Sequence, residues 1–352
     1  MHYSLISSTS ATRHLSHRPL ASGLASWDCV RVSLERSRSA WDTVWTVKTA
    51  ARGLLRTALS PKGLAAVRRL RSGAPLLKSK EERRLLAIAR ACFAEVNRFS
   101  WYDSNFLRHY QATKKFLDVV CPDRVEEFVS AFDLLRTDPA FQTKHLDSVF
   151  DGDTYHDLVE VVHTLPKLAL QHHEGETFGR TLIRRHPFFT RLQSSLTEWV
   201  SELVGEPVTP SYNFLSLYGG KGRCDPHLDH PVSKWTLDIC IEQNVAWPIY
   251  VSQVVDWPSE GPEYGTTKEE LRANPSLRFE QVILKPNSGA VFSGSSQWHF
   301  RDPLDAQDPA YCNLLFLHYL PKGAEPLVDP QQWASHLGIP ELRIVASAGF
   351  RT

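Results

Sequence analysis

Between Gly205 and residue 322 the chain falls into six short strand-like segments, at 212–218, 236–241, 249–255, 279–284, 290–293 and 313–319, separated by turns. Short strands rich in β-branched and aromatic residues cannot bury themselves singly. They must assemble into a compact barrel or a double-sheet jelly roll. The chain before residue 185 has a different texture. Apolar residues recur there at helical spacing, in stretches near 41–59, 85–93, 107–120, 125–135 and 155–165. Residues 188–204 read as one further amphipathic helix, with Gly205 where a helix would end. The expected class is therefore α+β: a jelly-roll, or double-stranded β-helix, core with a mainly helical N-terminal half packed on it.

The domain reading follows these changes of pattern. Residues 1–38 are rich in Ser, Arg and His, lack an acidic residue before Asp28, and read as a disordered basic arm. Residues 39–184 form the helical region, 185–325 the jelly roll, and 326–352 a C-terminal extension. Ser79 with Glu82, and Thr267 with Glu270, have the spacing of a capping box that starts a helix. The second pair lies inside a polar insertion, 256–278, of the length expected of a lid or binding element.

Charge excludes little but is unevenly spread. The chain carries a formal charge of +1, whereas residues 1–84 hold sixteen Lys/Arg against five Asp/Glu. That is +11 for the first part and −10 for the rest, which packing of one part on the other would satisfy. Lys48, Arg52 and Arg56 make one basic stripe on a helix. A solvated helix face accounts for it, and a nucleic-acid partner is disfavoured. No apolar run approaches the length needed to span a bilayer, and no basic n-region with an apolar stretch marks a secretory signal. The six cysteines, Cys29, Cys92, Cys121, Cys224, Cys240 and Cys312, form no CxxC pair. Isolated thiols suit a reducing cytoplasm.

The chemistry is concentrated in two segments. In Tyr218-Gly-Gly-Lys-Gly-Arg-Cys-Asp-Pro-His227-Leu-Asp229, alternation along a strand can direct His227 and Asp229 to one side. Farther along comes Phe292-Ser-Gly-Ser-Ser-Gln-Trp-His299-Phe-Arg301, with a second histidine on a strand-like run. Two imidazoles and one carboxylate on one face of a metal leave its other positions open, which is the donor set of non-heme Fe(II) oxygenases. Asp225 shares the parity of His227 and is an alternative carboxylate. His230 flanks the motif without fitting it.

Residues 185–325 resemble the 2-oxoglutarate/Fe(II)-dependent dioxygenase superfamily, in particular its prolyl-hydroxylase-like branch. The resemblance rests on His227, Asp229 and His299, on Tyr218 nine residues before the first histidine, on Pro226, and on the turn Lys285-Pro-Asn-Ser-Gly289. The runs Trp247-Pro-Ile-Tyr-Val251, Trp298-His-Phe-Arg-Asp-Pro303 and Phe316-Leu-His-Tyr319 look like bacterial members. The resemblance implies a jelly-roll core, Fe(II) bound by the three residues, 2-oxoglutarate as cosubstrate, O2 as oxidant, and succinate and carbon dioxide as products. It implies hydroxylation of a small molecule, an amino acid or a peptidyl residue, because a carboxylate stands where halogenating relatives have a small residue.

One departure matters. Relatives carry Arg or Lys ten to fifteen residues after the distal histidine, where it pairs with the far carboxylate of 2-oxoglutarate, and residues 309–314 contain neither. Arg301 shares the strand face of His299 and is the first candidate to replace it. Arg223 and Lys221 are alternatives, and Tyr218 can add a hydroxyl. His172, His173, Glu174 and Glu176 resemble metal ligands but read as a solvated loop, and Asp238 as a polar strand position. Trp235, Trp247, Trp257 and Trp298 read as core. The competing reading is a cupin-like or non-catalytic metal-binding barrel with basic N-terminal interaction helices.

Overall fold

The strand β5 (Trp235–Gln243) shows how the molecule is layered. Its odd residues Trp235, Leu237, Ile239 and Ile241 join one apolar cluster, while Thr236, Asp238 and Cys240 face the other way and are also buried. A strand covered on both faces is the middle of a sandwich. The computed structural model describes residues 79–96, 105–257, 267–304 and 310–349. The basic arm expected at 1–38 and the helix expected at 41–59 lie outside the described residues.

Two antiparallel sheets make up the core. The larger runs β1 (Lys144–Leu146), β8 (Gly289–Phe292), β5, β10 (Cys312–Pro321), β3 (Val208–Tyr218) and β2 (Arg180–Arg184). The smaller runs β4 (Cys224–His227), β9 (His299–Arg301), β6 (Ile249–Ser252) and β7 (Phe279–Val282). From β3 onward the chain crosses from one sheet to the other at every step except β6 to β7, which are neighbours in the smaller sheet, so that β8-β5-β10-β3 face β4-β9-β6-β7. This is the expected double-stranded β-helix.

The helices cover two regions. Against the outer face of the large sheet lie α4 (Gly152–His163), α6 (Pro187–Ser195) and α7 (Thr197–Val204), which bury Leu158, Phe189, Leu192 and Val200 on Leu215, Leu315 and Leu317. The short α5 (Gly175–Phe178) precedes β2. A second cluster joins α1 (Lys80–Val96), α2 (Asn105–Val120) and α3 (Val125–Ala131) to α9 (Trp333–His336) and α10 (Leu342–Gly349). The capping boxes at Ser79/Glu82 and at Thr267, which starts α8 (Lys268–Ala273), are both present.

The structure departs from the sequence reading in two places. The helix expected over 188–204 divides at Leu196, because Ser194, Ser195 and Thr197 return hydroxyl hydrogen bonds to the carbonyls of Thr190, Leu192 and Gln193. Strands precede residue 185: β1 pairs with β8 and β2 with β3. Three and five residues are too few to show a period of two. Within the expected C-terminal extension, Trp333 is sealed among Phe106, Phe128 and Phe132 and so joins the helical cluster.

Trp333 is 1% exposed and donates its indole N–H to the Leu327 carbonyl at 2.7 Å. Trp333→Ala should destabilise the protein by about 3–5 kcal/mol, measured by urea unfolding. A loss below 1 kcal/mol would show that the C-terminal helices contribute little to the helical cluster.

Candidate metal centre

The register of β4 on β9 sets the site. His227 lies directly opposite His299, and Cys224 opposite Arg301. The two imidazole rings are 4.2 Å apart between centroids. His227 Nδ1 lies 2.8 Å from the Asp225 carbonyl and His299 Nδ1 3.0 Å from that of Gln297. Each Nδ1 therefore donates to a carbonyl, which leaves Nε2 as the nitrogen each ring offers to a metal.

Asp229 arrives by a different route from the one strand alternation suggested. β4 ends at His227, and Asp229 lies beyond it, held by its backbone N–H donating to the Gly294 carbonyl at 2.7 Å. Its Oδ1 is 3.5 Å from His227 Nε2 and its Oδ2 3.8 Å from His299 Nε2. One ligand atom from each of the three residues falls within 4.8 Å of the others, and among the described residues these three alone form such a group. Two available Nε2 atoms and a carboxylate converging this closely fit a divalent cation. His299 is pushed down to about 4, by burial first and then by His227, so it is neutral at ordinary pH. Burial opposes ionisation of Asp229, yet its contact with the His227 imidazole outweighs burial and holds the carboxyl well below its usual range; Cys224 and Asp229 in turn push His227 up against its own burial, so a metal would bind there by displacing a proton from Nε2.

The turn before His299 was not legible as part of the site. Gln297 accepts from Ser293 N–H at 2.8 Å and donates to the Ser252 carbonyl at 2.7 Å, while Trp298 N–H donates to Ser252 Oγ. A Cβ on Gly294 would meet Asp229 Oδ2 at 2.5 Å, the Ser233 carbonyl at 2.7 Å and Thr236 Oγ1 at 2.8 Å. Glycine is thus required for Asp229 to sit where it does.

A cavity of about 190 Å³ opens beside the triad. Phe214, Phe292, Phe300 and Phe316 wall it, and Tyr218, Arg180, Arg184, Arg301, Thr236 and His318 supply polar groups. His318 is 3% exposed; its Nδ1 lies 3.1 Å from Thr236 Oγ1, and its Nε2 has no hydrogen-bond partner among the described residues. Tyr218 is pushed up to about 12, chiefly by burial.

The other candidates divide. Arg301 does line the cavity, but its guanidinium donates to the Trp247 carbonyl and, at 2.7 Å, to the fully buried Asp238. Arg223 is exposed and donates to the carbonyls of Thr177 and Glu176, away from the cavity lining; Lys221 is likewise exposed. Asp225 pairs with Lys268 of α8. His230 packs its ring on Phe106. The reading of residues 172–176 as solvated is corrected at Glu174. Its carboxylate, 12% exposed, is gripped by Arg180 at 2.5 Å and by Arg184 at 2.8 Å, because β2 brings both arginines to it. Asp238 is likewise no mere polar strand position, since it neutralises Arg301. The four tryptophans are core, as expected.

No protein-family model matches the chain, and no curated protein sequence matches it. Solved structures of 2-oxoglutarate- and iron-dependent enzymes do match. The non-heme alpha-ketoglutarate-dependent epimerase SnoN from nogalamycin biosynthesis is 14% identical, covering 59% of this chain and 90% of its own at a TM-score of 0.40. A Pseudomonas putida prolyl-4-hydroxylase is 9% identical, over 52% and 94%, at 0.38. EctD from S. alaskensis, solved with 2-oxoglutarate and 5-hydroxyectoine, is 16% identical, over 55% and 75%, at 0.37. Likeness at this level carries no functional argument, and the chemistry has to be read from the site.

Gly294→Ala should displace Asp229 and lower divalent-metal affinity by about 10-fold or more, the scale on which outer supports of a metal act. Gly219→Ala, where a Cβ meets nothing within 4 Å, serves as the control. Titration with Mn(II), followed by paramagnetic resonance, reads both. Equal affinity in the two variants would refute the seating role.

Proposed function

We propose that the chain is an Fe(II)- and 2-oxoglutarate-dependent oxygenase that oxidises a C–H bond, by hydroxylation, of a small-molecule or peptidyl substrate. The observation that carries this reading is the convergence of His227 Nε2, His299 Nε2 and the Asp229 carboxylate at one end of an aromatic-walled cavity inside a double-stranded β-helix. Three protein donors on one face leave room for a bidentate cosubstrate and a gas, which a closed four-donor site does not. The cupin-like alternative expects more histidines on the ion, and His230 and His318 stand outside the converging group.

The roles follow from geometry. His227, Asp229 and His299 would hold the iron, with the Asp225 and Gln297 carbonyls fixing the two imidazoles in their ligating tautomer. Fe(II) bound there would supply dioxygen activation, with 2-oxoglutarate as the reductant that leaves as succinate and carbon dioxide. The apolar rings of Phe214, Phe292, Phe300 and Phe316 exclude bulk water, which protects a reactive centre from side reactions. Tyr218 and Arg301 would offer hydrogen-bond donors to the cosubstrate, Arg301 with its charge already balanced by Asp238. Thr236 and His318, in contact with each other, add polar groups to the same lining.

The protein should bind about one Fe(II) and convert 2-oxoglutarate to succinate in its presence. His227→Ala, Asp229→Ala and His299→Ala should each reduce metal affinity and turnover at least 10- to 100-fold, the loss typical of even a supporting residue. Succinate assays with iron quantification test this. Wild-type turnover in all three variants would remove the assignment.

A further inference from the structure

Three arginines line the cavity, in two different electrostatic states. Arg301 faces a single fully buried carboxylate, Asp238, at 2.7 Å, so that pair is neutral. On β2, Arg180 and Arg184 share one carboxylate, Glu174, and the trio is left with a charge of +1. Both arginines line the cavity, whereas Glu174 does not. Arg180 is the more enclosed, 12% exposed against 43% for Arg184. Its NH1 donates to Tyr218 Oη at 2.7 Å, which leaves the tyrosine hydroxyl free to donate onward. The rings of Phe178, Phe214 and Tyr218 lie 4.7, 5.3 and 5.5 Å from its guanidinium carbon and fix the plane of the fork. Arg180 holds Glu174 through Nε at 2.6 Å and a terminal nitrogen at 2.5 Å, so the excess charge belongs to the trio as a whole. An enclosed, oriented guanidinium within it, beside a hydroxyl donor, is suited to a carboxylate, which can accept from both.

We propose that Arg180, with Tyr218 and with its charge tuned by Glu174, is the carboxylate-binding cation of the cavity. The inference rests on the oxygenase reading for its ligands but not for its geometry. The carboxylate has two chemical sources: the far carboxylate of 2-oxoglutarate, or a carboxylate on the molecule that is oxidised. The cation comes from a strand outside the eight-stranded core, and in the first case this explains how residues 309–314 can lack Lys and Arg.

The test uses Fe(II)-loaded full-length protein without oxygen. 2-Oxoglutarate and 2-oxopentanoate, which keeps the chelating 2-oxo acid but ends in a methyl group, are titrated and followed by the metal-to-ligand absorption band. 3-Phenylpropionate is then titrated into the 2-oxoglutarate-loaded protein by calorimetry, with 3-phenylpropanol as its neutral control. If the cosubstrate is the source, Arg180→Leu should weaken 2-oxoglutarate by about 30-fold or more and leave 2-oxopentanoate unchanged. If the substrate is the source, 2-oxoglutarate holds and 3-phenylpropionate is lost while the alcohol is indifferent. Glu174→Gln adds one positive charge without touching the cavity wall, and should tighten whichever carboxylate Arg180 binds. It also keeps the test open should Arg180→Leu fail to fold. Arg223→Leu should change nothing. Retention of both carboxylates in Arg180→Leu, or their equal weakening with the neutral analogues, overturns the proposal. A wild-type protein that forms no absorption band with either 2-oxo acid sinks the oxygenase reading instead. The 3-phenylpropionate arm, run on the Fe(II) protein alone, then decides Arg180 by the same gain and loss.

Discussion

The antiparallel pairing of β4 with β9 is the contact on which the candidate site depends. It sets His227 against His299, two residues far apart in the chain, at a ring separation of 4.2 Å. A slip of one residue would turn one imidazole to the outer face of the sheet and abolish the site. The register is protected from both sides. β9 also pairs with β6, and the turn ahead of it is tied down through Gln297 and the Ser252 hydroxyl. The third member of the group is secured by one backbone hydrogen bond to Gly294, in that same turn. A single buried turn therefore positions His299 by its sequence and Asp229 by its carbonyl.

Burial explains why so many charged groups near the cavity come in pairs. Removing a charge from water is costly unless a partner offsets it. Asp238 and Arg301 meet this requirement between themselves, as do Glu206 and Lys234, just ahead of β5, at 2.7 Å. The trio of Arg180, Arg184 and Glu174 does not balance, and it remains partly exposed where solvent can support the excess charge. Neutral pairs in the dry interior and a net charge at a wetter wall form a gradient that would draw an anion into an otherwise aromatic cavity.

Much of this was legible in the sequence. Six short strand-like segments separated by turns announced the jelly roll, because short strands cannot bury themselves singly. The His-x-Asp pair and the distal histidine were legible too, since few residue types can bind a metal and these three sat in β-rich surroundings. Capping boxes at Ser79 and Thr267 could be read because they are purely local hydrogen-bond patterns. The short strands β1 and β2 could not, for they gain stability only from the sheet they join. The break at Leu196 was hidden for a related reason: hydroxyls compete with the helix ladder only once the chain has placed them there.

The sequence by itself determined the layered fold, the identity of the metal-capable side chains and the absence of a basic residue across 309–314, all of which follow from residue type and local period. Tertiary structure alone decided which arginine has charge to spare. Arg301 stands two residues from His299 and looked available, yet the strand pairings carry Asp238 to its side. Arg180 precedes the metal motif by nearly fifty residues and carried no signal of its own. It reaches the cavity because β2 pairs with β3 and sets it beside Tyr218. Electrostatic balance depends on distances in space, and no reading along the chain supplies those until the sheets have closed.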